Sequence, residues 1–206
     1  MRQALLLASI LMIAAGVAHA QSDSFGQQKG DSALTKLALG KKIPGKLSMT
    51  TIDGKTKSFA DLRGKVVVVT FWSDSCPYLK NAEPKLKKLH AMYASKGVEM
   101  VTIAANQREI ADKAAGYTRI KKHLEKNSVK FPIYVDHGNK VTDLFGAKTT
   151  PHCYVVAADG TLSYAGALDD DPRDAKGVDA NAYVKTAVDQ LLASKPVTTS
   201  STKPYG

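Results

Sequence analysis

The sequence predicts an α/β domain whose central mixed sheet is flanked by helices. The strongest observation is an unbroken apolar run, Val66–Trp72, with the letters VVVVTFW. A short β-branched run without period-two alternation is typical of a strand covered on both faces, as in a parallel sheet. Strand and helix patterns then alternate, and an Asp-Gly turn joins the last two strand patterns. That turn favours an antiparallel hairpin near the end of the domain.

The first twenty residues are predicted to be a secretory signal peptide and not part of the fold. Arg2 supplies a positive charge, an apolar segment covers residues 4–17, and Ala18-His19-Ala20 has the small-x-small pattern of a cleavage site. We expect cleavage after Ala20 and export to the periplasm or the cell exterior. No second apolar segment follows in the sequence, so we expect no stable membrane insertion.

The remaining sequence is long enough for one domain with a core, which we place at residues 47–194. Residues 21–46 are predicted to be a lead-in or linker, and the Ser/Thr/Pro tail at 195–206 is predicted to be disordered. The predicted elements, in order, are a hairpin at 47–62, the central strand at 65–72, a helix from 77 to about 95, a strand at 98–105, a mostly helical segment at 106–127, a strand at 131–135, a short helix at 140–145, a hairpin at 152–168 and a helix at 181–194.

Composition and cysteine count exclude several classes of protein. The net charge is +10, but the lysines are scattered and no aromatic residues interleave them, so we expect no nucleic-acid partner. Cys76 and Cys153 are the two cysteines; a secreted scaffold held by disulfides would carry more, which favours cysteine chemistry. No zinc-ligand spacing and no glycine-rich phosphate loop is present in the sequence, so we expect no metal and no cofactor.

Cys76 is the main catalytic candidate. It follows the central strand and the turn Ser73-Asp74-Ser75, and Pro77 is predicted to be the first helical residue. The amide groups and the dipole at a helix N-terminus favour the thiolate form of a cysteine placed there. The pattern therefore predicts a nucleophilic, redox-active thiol.

Three features around Cys76 occur together in a known family. Phe71 to Cys76 form an aromatic lead-in to the cysteine, Pro84 follows it by eight residues inside the predicted helix, and Thr150-Pro151 precedes the terminal hairpin. Together they resemble the thioredoxin-like superfamily, in its redoxin branch of AhpC/TSA-like and TlpA-like secreted proteins. The resemblance covers about residues 47–194. It implies a thioredoxin-like fold with an N-terminal hairpin and an insertion, residues 106–130, between the second and third core strands.

The resemblance also implies a function. It indicates an oxidoreductase with antioxidant activity that acts on a disulfide or a peroxide and is reduced by an external thiol. Substrates would be thiols or disulfides, in proteins or small molecules, or peroxides. Thr150 and Pro151 would present backbone to an extended substrate, with Trp72 and Pro77 as further substrate contacts.

The active-site motif departs from that family. Thioredoxins have Cys-x-x-Cys, whereas here the stretch is Cys-Pro-Tyr-Leu, with Leu79 in the resolving position. Thr70 stands where thioredoxins place a buried acid, which without a second thiol would be an unpaired charge. These two changes predict chemistry through one cysteine. The peroxiredoxin motif Pro-x-x-x-Thr-x-x-Cys is half present, with Ser73 at the hydroxyl position and Val69 at the proline position.

Cys153 and His152 are auxiliary candidates that leave alternatives open. Strand alternation from Thr150 predicts that Cys153 points away from Cys76 as a small core residue, and a disulfide between the two cysteines would need rearrangement. Relatives often carry another cysteine in a C-terminal tail; here a resolving thiol would come from another molecule or from a longer chain. His152 is expected either to tune Cys76 or to be a surface residue.

Two alternative hypotheses do not involve an oxidoreductase. A non-catalytic binding module is one alternative. The other is copper handling by Cys76 with His152 or His137, although copper-delivery proteins of this fold use two cysteines. Asp169-Asp170-Asp171 is expected to be a solvated acidic loop.

Overall fold

The computed structural model describes residues 36–206, and the predicted signal peptide and residues 21–35 lie outside the described residues. The strands are β1 (Ser48–Thr51), β2 (Thr56–Ser58), β3 (Val66–Trp72), β4 (Val98–Ala104), β5 (Ile133–Val135), β6 (His152–Val156) and β7 (Leu162–Gly166). The helices are α1 (Leu79–Tyr93), α2 (Gln107–Ile110), α3 (Thr118–Lys126), α4 (Lys140–Phe145) and α5 (Tyr183–Leu192). The strands form one sheet in the order β2-β1-β5-β4-β3-β6-β7.

Strand β3 lies inside this sheet, as the apolar run predicts. All seven of its residues are buried, and it pairs in parallel with β4 along its whole length. On its other side it pairs antiparallel with β6, which in turn forms the terminal hairpin with β7. The N-terminal hairpin of β1 and β2 joins the sheet through β5. The prediction of a mixed α/β sheet is confirmed.

Two apolar cores cover the two faces of β3. Val66, Val68 and Trp72 belong to the core that contains residues of α1 and α5, while Val67 and Phe71 belong to the core that contains residues of α4. Helix α1 has an inner stripe of residues three and four positions apart that is buried throughout, at Leu79, Ala82, Leu86, Leu89 and Tyr93. The loops that follow β3 and β4 therefore leave the same edge of the sheet, between these two cores.

The segment between β4 and β5 is mostly helical, as predicted. It contains α2, a single 3₁₀ turn at Lys113–Ala115, and α3. Tyr117 and Ile120 are buried on its inner face. None of the helices among residues 36–206 combines the length and the apolar character that crossing a bilayer requires.

The predictions for both ends of the domain need correction. Within the predicted lead-in, Ile43 is buried, and its N–H donates to Gly160 O at 3.0 Å. The tail predicted to be disordered instead runs along β7, where Ser201 forms a parallel bridge with Ala165. β7 is the last strand in the sheet order, so one side of its backbone has no neighbouring strand, and the tail hydrogen-bonds to that side. Composition alone does not reveal such pairing.

Candidate active site around Cys76

Cys76 lies in the connection between β3 and α1. Its N–H donates to Ser73 O at 3.2 Å, and its own carbonyl accepts from Leu79 N at 3.0 Å. The helix begins at Leu79, so the prediction that Pro77 is its first residue is wrong by two positions. Pro77 is exposed in a turn before the helix, and Cys76 is partly exposed beside it.

The Thr150-Pro151 pair faces Cys76 from the loop before β6. The peptide bond between these two residues is cis. The Cys76 thiol donates to Thr150 O, with 2.7 Å between sulfur and oxygen. Two motifs that are far apart in sequence therefore meet at the sulfur. An open cleft of about 270 Å³, lined in part by Thr149 and Thr150, adjoins this contact.

A buried carboxyl group holds the turn that precedes Cys76. Glu109, in α2, is fully buried, and its Oε1 accepts from the Ser73 hydroxyl, from the Ser75 hydroxyl at 2.9 Å and from Ser75 N at 3.2 Å. Asp74, in the same turn, accepts two hydrogen bonds from Arg119, at 2.7 and 2.8 Å. The insertion between β4 and β5 therefore forms hydrogen bonds with each residue of the turn from Ser73 to Ser75.

The pKa values of the two carboxyl groups at this turn are shifted in opposite directions. Burial raises the pKa of Glu109, and the neighbouring Asp74 raises it further against the hydrogen bonds from the serines. Burial also acts to raise the pKa of Asp74, but the hydrogen bonds and the charge of Arg119 outweigh it and lower that pKa.

Sequence reasoning missed Glu109 as a site residue. One signal pointed to it: β4 is the parallel neighbour of β3, so residues that follow β4 lie at the same edge of the sheet as those that follow β3. The turn after β3 carries two serine hydroxyl groups and the Asp74 carboxylate, and these polar groups require hydrogen-bond partners. The segment that follows β4 is close enough to supply those partners.

Known proteins place this arrangement in a family. The AhpC/TSA family model matches residues 39–165, more than half of the chain. The chain belongs to the AhpC/TSA family. It is 29% identical over 127 residues to the thiol-disulfide oxidoreductase ResA of Bacillus thuringiensis (strain Al Hakam), which covers 62% of this chain and 68% of the relative. With its sheet topology, it is a redoxin-branch, thioredoxin-like protein.

Solved structures agree on the fold. A hypothetical protein, SMc02350 of Sinorhizobium meliloti 1021, superposes with a TM-score of 0.68 at 25% identity, over 82% of this chain and 91% of that one. A putative thiol:disulfide interchange protein DsbE of Chlorobium tepidum gives a TM-score of 0.53 at 22% identity, over 63% of this chain and 85% of that one. The latter likeness concerns the fold alone.

Within this AhpC/TSA domain, Trp72 lies beneath the site. Its side chain is only 1% exposed, and its Nε1 donates to Glu83 at 3.2 Å. The same carboxylate oxygen lies 2.8 Å from His123 Nε2, and the Trp72 and His123 rings meet edge to face. The position of Trp72 does not support the predicted substrate contact; its side chain supports the start of α1 instead.

Cys153 lies opposite Thr70 on the neighbouring strand. It is completely buried, and the Thr70 hydroxyl donates to its sulfur at 3.7 Å. It belongs to the same apolar core as Leu79, so the prediction that Cys153 is a small core residue is confirmed. Burial raises the pKa of Cys153 to about 12.

His152 is buried away from Cys76. Its Nδ1 lies 3.1 Å from the Tyr154 hydroxyl, and the two rings stack. Burial, and then the charges of Lys36 and Lys148, lower the pKa of His152 to about 4. The expectation of a surface residue is wrong, and the contacts of its ring do not include Cys76.

The acidic loop is buried rather than solvated. Asp169 and Asp171 are 5% and 3% exposed, and Lys85 of α1 pairs with Asp169 at 2.8 Å. Burial acts to raise the pKa of Asp171, but hydrogen bonds from backbone N–H groups and the Lys85 charge lower it overall. The carboxylates of this loop can be buried because α1 brings the partly buried ammonium group of Lys85 against them. Among residues 36–206 no group of three His, Cys, Asp or Glu side chains is placed to hold a metal ion.

Proposed function

We propose that this chain is an exported thiol–disulfide oxidoreductase in which Cys76 is the single nucleophile. The observation that carries the proposal is the partly exposed Cys76 sulfur, 2.7 Å from Thr150 O in the loop of Pro151. That loop is where the family resemblance places the backbone of an extended substrate. The printed name of the ResA relatives, and the signal-peptide pattern of residues 1–20, support the reaction class and the export.

The reaction needs only the chemistry of one sulfur. The Cys76 thiolate attacks one sulfur of a substrate disulfide, a Cys76–substrate disulfide forms, and the other substrate sulfur leaves as a thiolate. An external thiol then attacks the Cys76 sulfur and releases the substrate as a thiol. A second equivalent of the external thiol restores reduced Cys76. The substrate gains two electrons and two protons, and the external thiols become a disulfide.

Disulfide chemistry is better supported than peroxide chemistry. A peroxidase site would need a hydroxyl group aimed at the peroxide, and the Ser73 hydroxyl donates to Glu109 instead. At the proline position of the peroxiredoxin motif, Val69 is fully buried in β3. The Ser73 hydroxyl is therefore used in the turn and Val69 is packed in the core, so neither residue is placed to bind a peroxide.

Exchange kinetics test this proposal. Reduced protein is mixed with a disulfide-bonded peptide, and the covalent protein–peptide adduct is followed by mass spectrometry, with dithiothreitol as the later reductant. We expect the adduct in wild type and in Cys153→Ser, but not in Cys76→Ser. Rates no faster than those of free cysteine, or Cu(I) binding that Cys76→Ser abolishes in a protein without exchange, would overturn the proposal. N-terminal sequencing of secreted material should give Gln21 as the first residue.

A further inference from the structure

The tail that leaves β7 ends against the Cys76 site. Ala165 N donates to Ser200 O at 3.0 Å, and Thr202 N donates to Ala165 O at 3.2 Å, so the tail is an extra strand at this point. The Thr202 hydroxyl accepts from Ala167 N at 2.9 Å and lies 2.6 Å from the Tyr164 hydroxyl. These contacts anchor residues 200–202 firmly to the sheet edge.

Beyond this anchor the tail crosses to the loop of Thr150. The Tyr205 hydroxyl donates to Asp169 at 2.8 Å, and its ring lies 6.0 Å from the ring of Tyr78. The Tyr205 carbonyl accepts from the Thr149 hydroxyl at 3.4 Å. The Tyr205 side chain therefore lies between the acidic loop and Tyr78, two residues after Cys76.

Gly206 makes the closest approach. A Cβ atom added at Gly206 would lie 2.5 Å from Thr150 O and 2.9 Å from Thr150 N, a space that only glycine fits. Thr150 O is also the acceptor of the Cys76 thiol. Gly206 thus covers the Thr150 backbone, which the proposed function assigns to an extended substrate.

We propose that Tyr205 and Gly206 occupy the peptide groove in place of substrate, where the peptide groove is the surface formed by Cys76, Tyr78, Thr149 and Thr150. This inference rests on the proposed function for its substrate. It names the substrate class as an extended polypeptide with an aromatic side chain beside the residue that reaches Thr150. The anchor at residues 200–202 stays paired while residues 203–206, which make fewer hydrogen bonds, lift away to admit the substrate.

Alkylation of Cys76 tests the occupancy without any turnover. In a Cys153→Ser background, a bulky maleimide reagent is added to Tyr205→Ala, to Gly206→Val and to Lys203→Ala. Tyr205→Ala removes the hydrogen bond to Asp169, and Gly206→Val places side-chain atoms against Thr150, so we expect alkylation to accelerate about fivefold in both. Lys203 is exposed and serves as the matched control, with an unchanged rate. Rates within twofold of the parent in both tail variants would overturn the inference.

A peptide in trans provides a second readout. The synthetic peptide SSTKPYG, the sequence of residues 200–206, should slow alkylation of the Tyr205→Ala variant, whereas SSTKPAG should not. Peptide disulfide exchange separates the two proposals. Exchange by wild type with no effect of the tail variants on alkylation contradicts the occupancy alone. Faster alkylation in the tail variants with no exchange in any of them contradicts the proposed function and leaves the occupancy supported.

Discussion

Cys76 and Cys153 pack against the same apolar core but occupy opposite environments. Cys76 is partly exposed in a turn, and its thiol reaches a backbone carbonyl of the neighbouring loop. Cys153 is completely buried within β6 and has the Thr70 hydroxyl as its polar neighbour. Burial therefore gives two chemically identical side chains different tasks, since one is placed to react and the other to pack.

Thiol labelling gives the largest expected difference between the two cysteines. With a pKa of about 12, Cys153 has about a thousandfold less thiolate at pH 8 than an ordinary thiol. Native protein treated with iodoacetamide should therefore be labelled at Cys76 alone, as read by peptide mass spectrometry. Both cysteines should react in denaturant. Native labelling of Cys153 at a rate within tenfold of that of Cys76 would contradict the difference in reactivity between the two cysteines.

His152, next to Cys153, should affect stability and leave reactivity unchanged. Its pKa of about 4 lies below the ordinary 6.5, so the unfolded chain takes up a proton in this range that the folded protein does not. This contribution is complete above pH 6.5 and is lost as the pH falls towards 4, by about 3 kcal/mol in all.

His152→Asn should flatten that dependence in urea unfolding followed between pH 4 and 7. The rate of disulfide exchange at Cys76 should stay within twofold of wild type. A shifted pH profile of exchange in this variant would instead assign His152 to the chemistry of Cys76.

Glu109 should matter to Cys76 through the turn. Glu109→Ala leaves the serine donors of the turn unpaired, so we expect a loss of about 2 kcal/mol in unfolding free energy. Displacement of Cys76 should lower its exchange rate about tenfold. Glu109→Gln keeps the acceptor oxygen and should retain most of both, while Glu125→Ala, at an exposed position in α3, is the matched control. Equal effects of the Ala and Gln variants on exchange would contradict the positioning role.

Thr70→Val should have the smallest effect. It removes one weak hydrogen bond to the Cys153 sulfur at constant volume, so unfolding free energy should change by less than about 1 kcal/mol. Exchange at Cys76 should be unchanged. A loss of exchange in this variant would mean that Thr70 serves the reactive site, as the acid at this position does in thioredoxins.

The sequence predicts the parts of the site that depend on local pattern. The apolar run of β3 and the Thr150-Pro151 motif are where the pattern places them. The burial of Cys153 as a small core residue also agrees with the sequence prediction. The packing of the tail and the hydrogen bonds of Glu109 depend on partners that only the folded sheet brings together.

Mild oxidation of the mature protein tests whether Cys76 acts as the single nucleophile. The intact mass is measured after treatment with oxidised glutathione, in wild type and in Cys153→Ser. With Cys76 as the single nucleophile, both proteins should carry one glutathione, on Cys76, and the adduct should persist until an external thiol is added. A loss of two hydrogens that requires Cys153 would show an internal disulfide and would contradict the account.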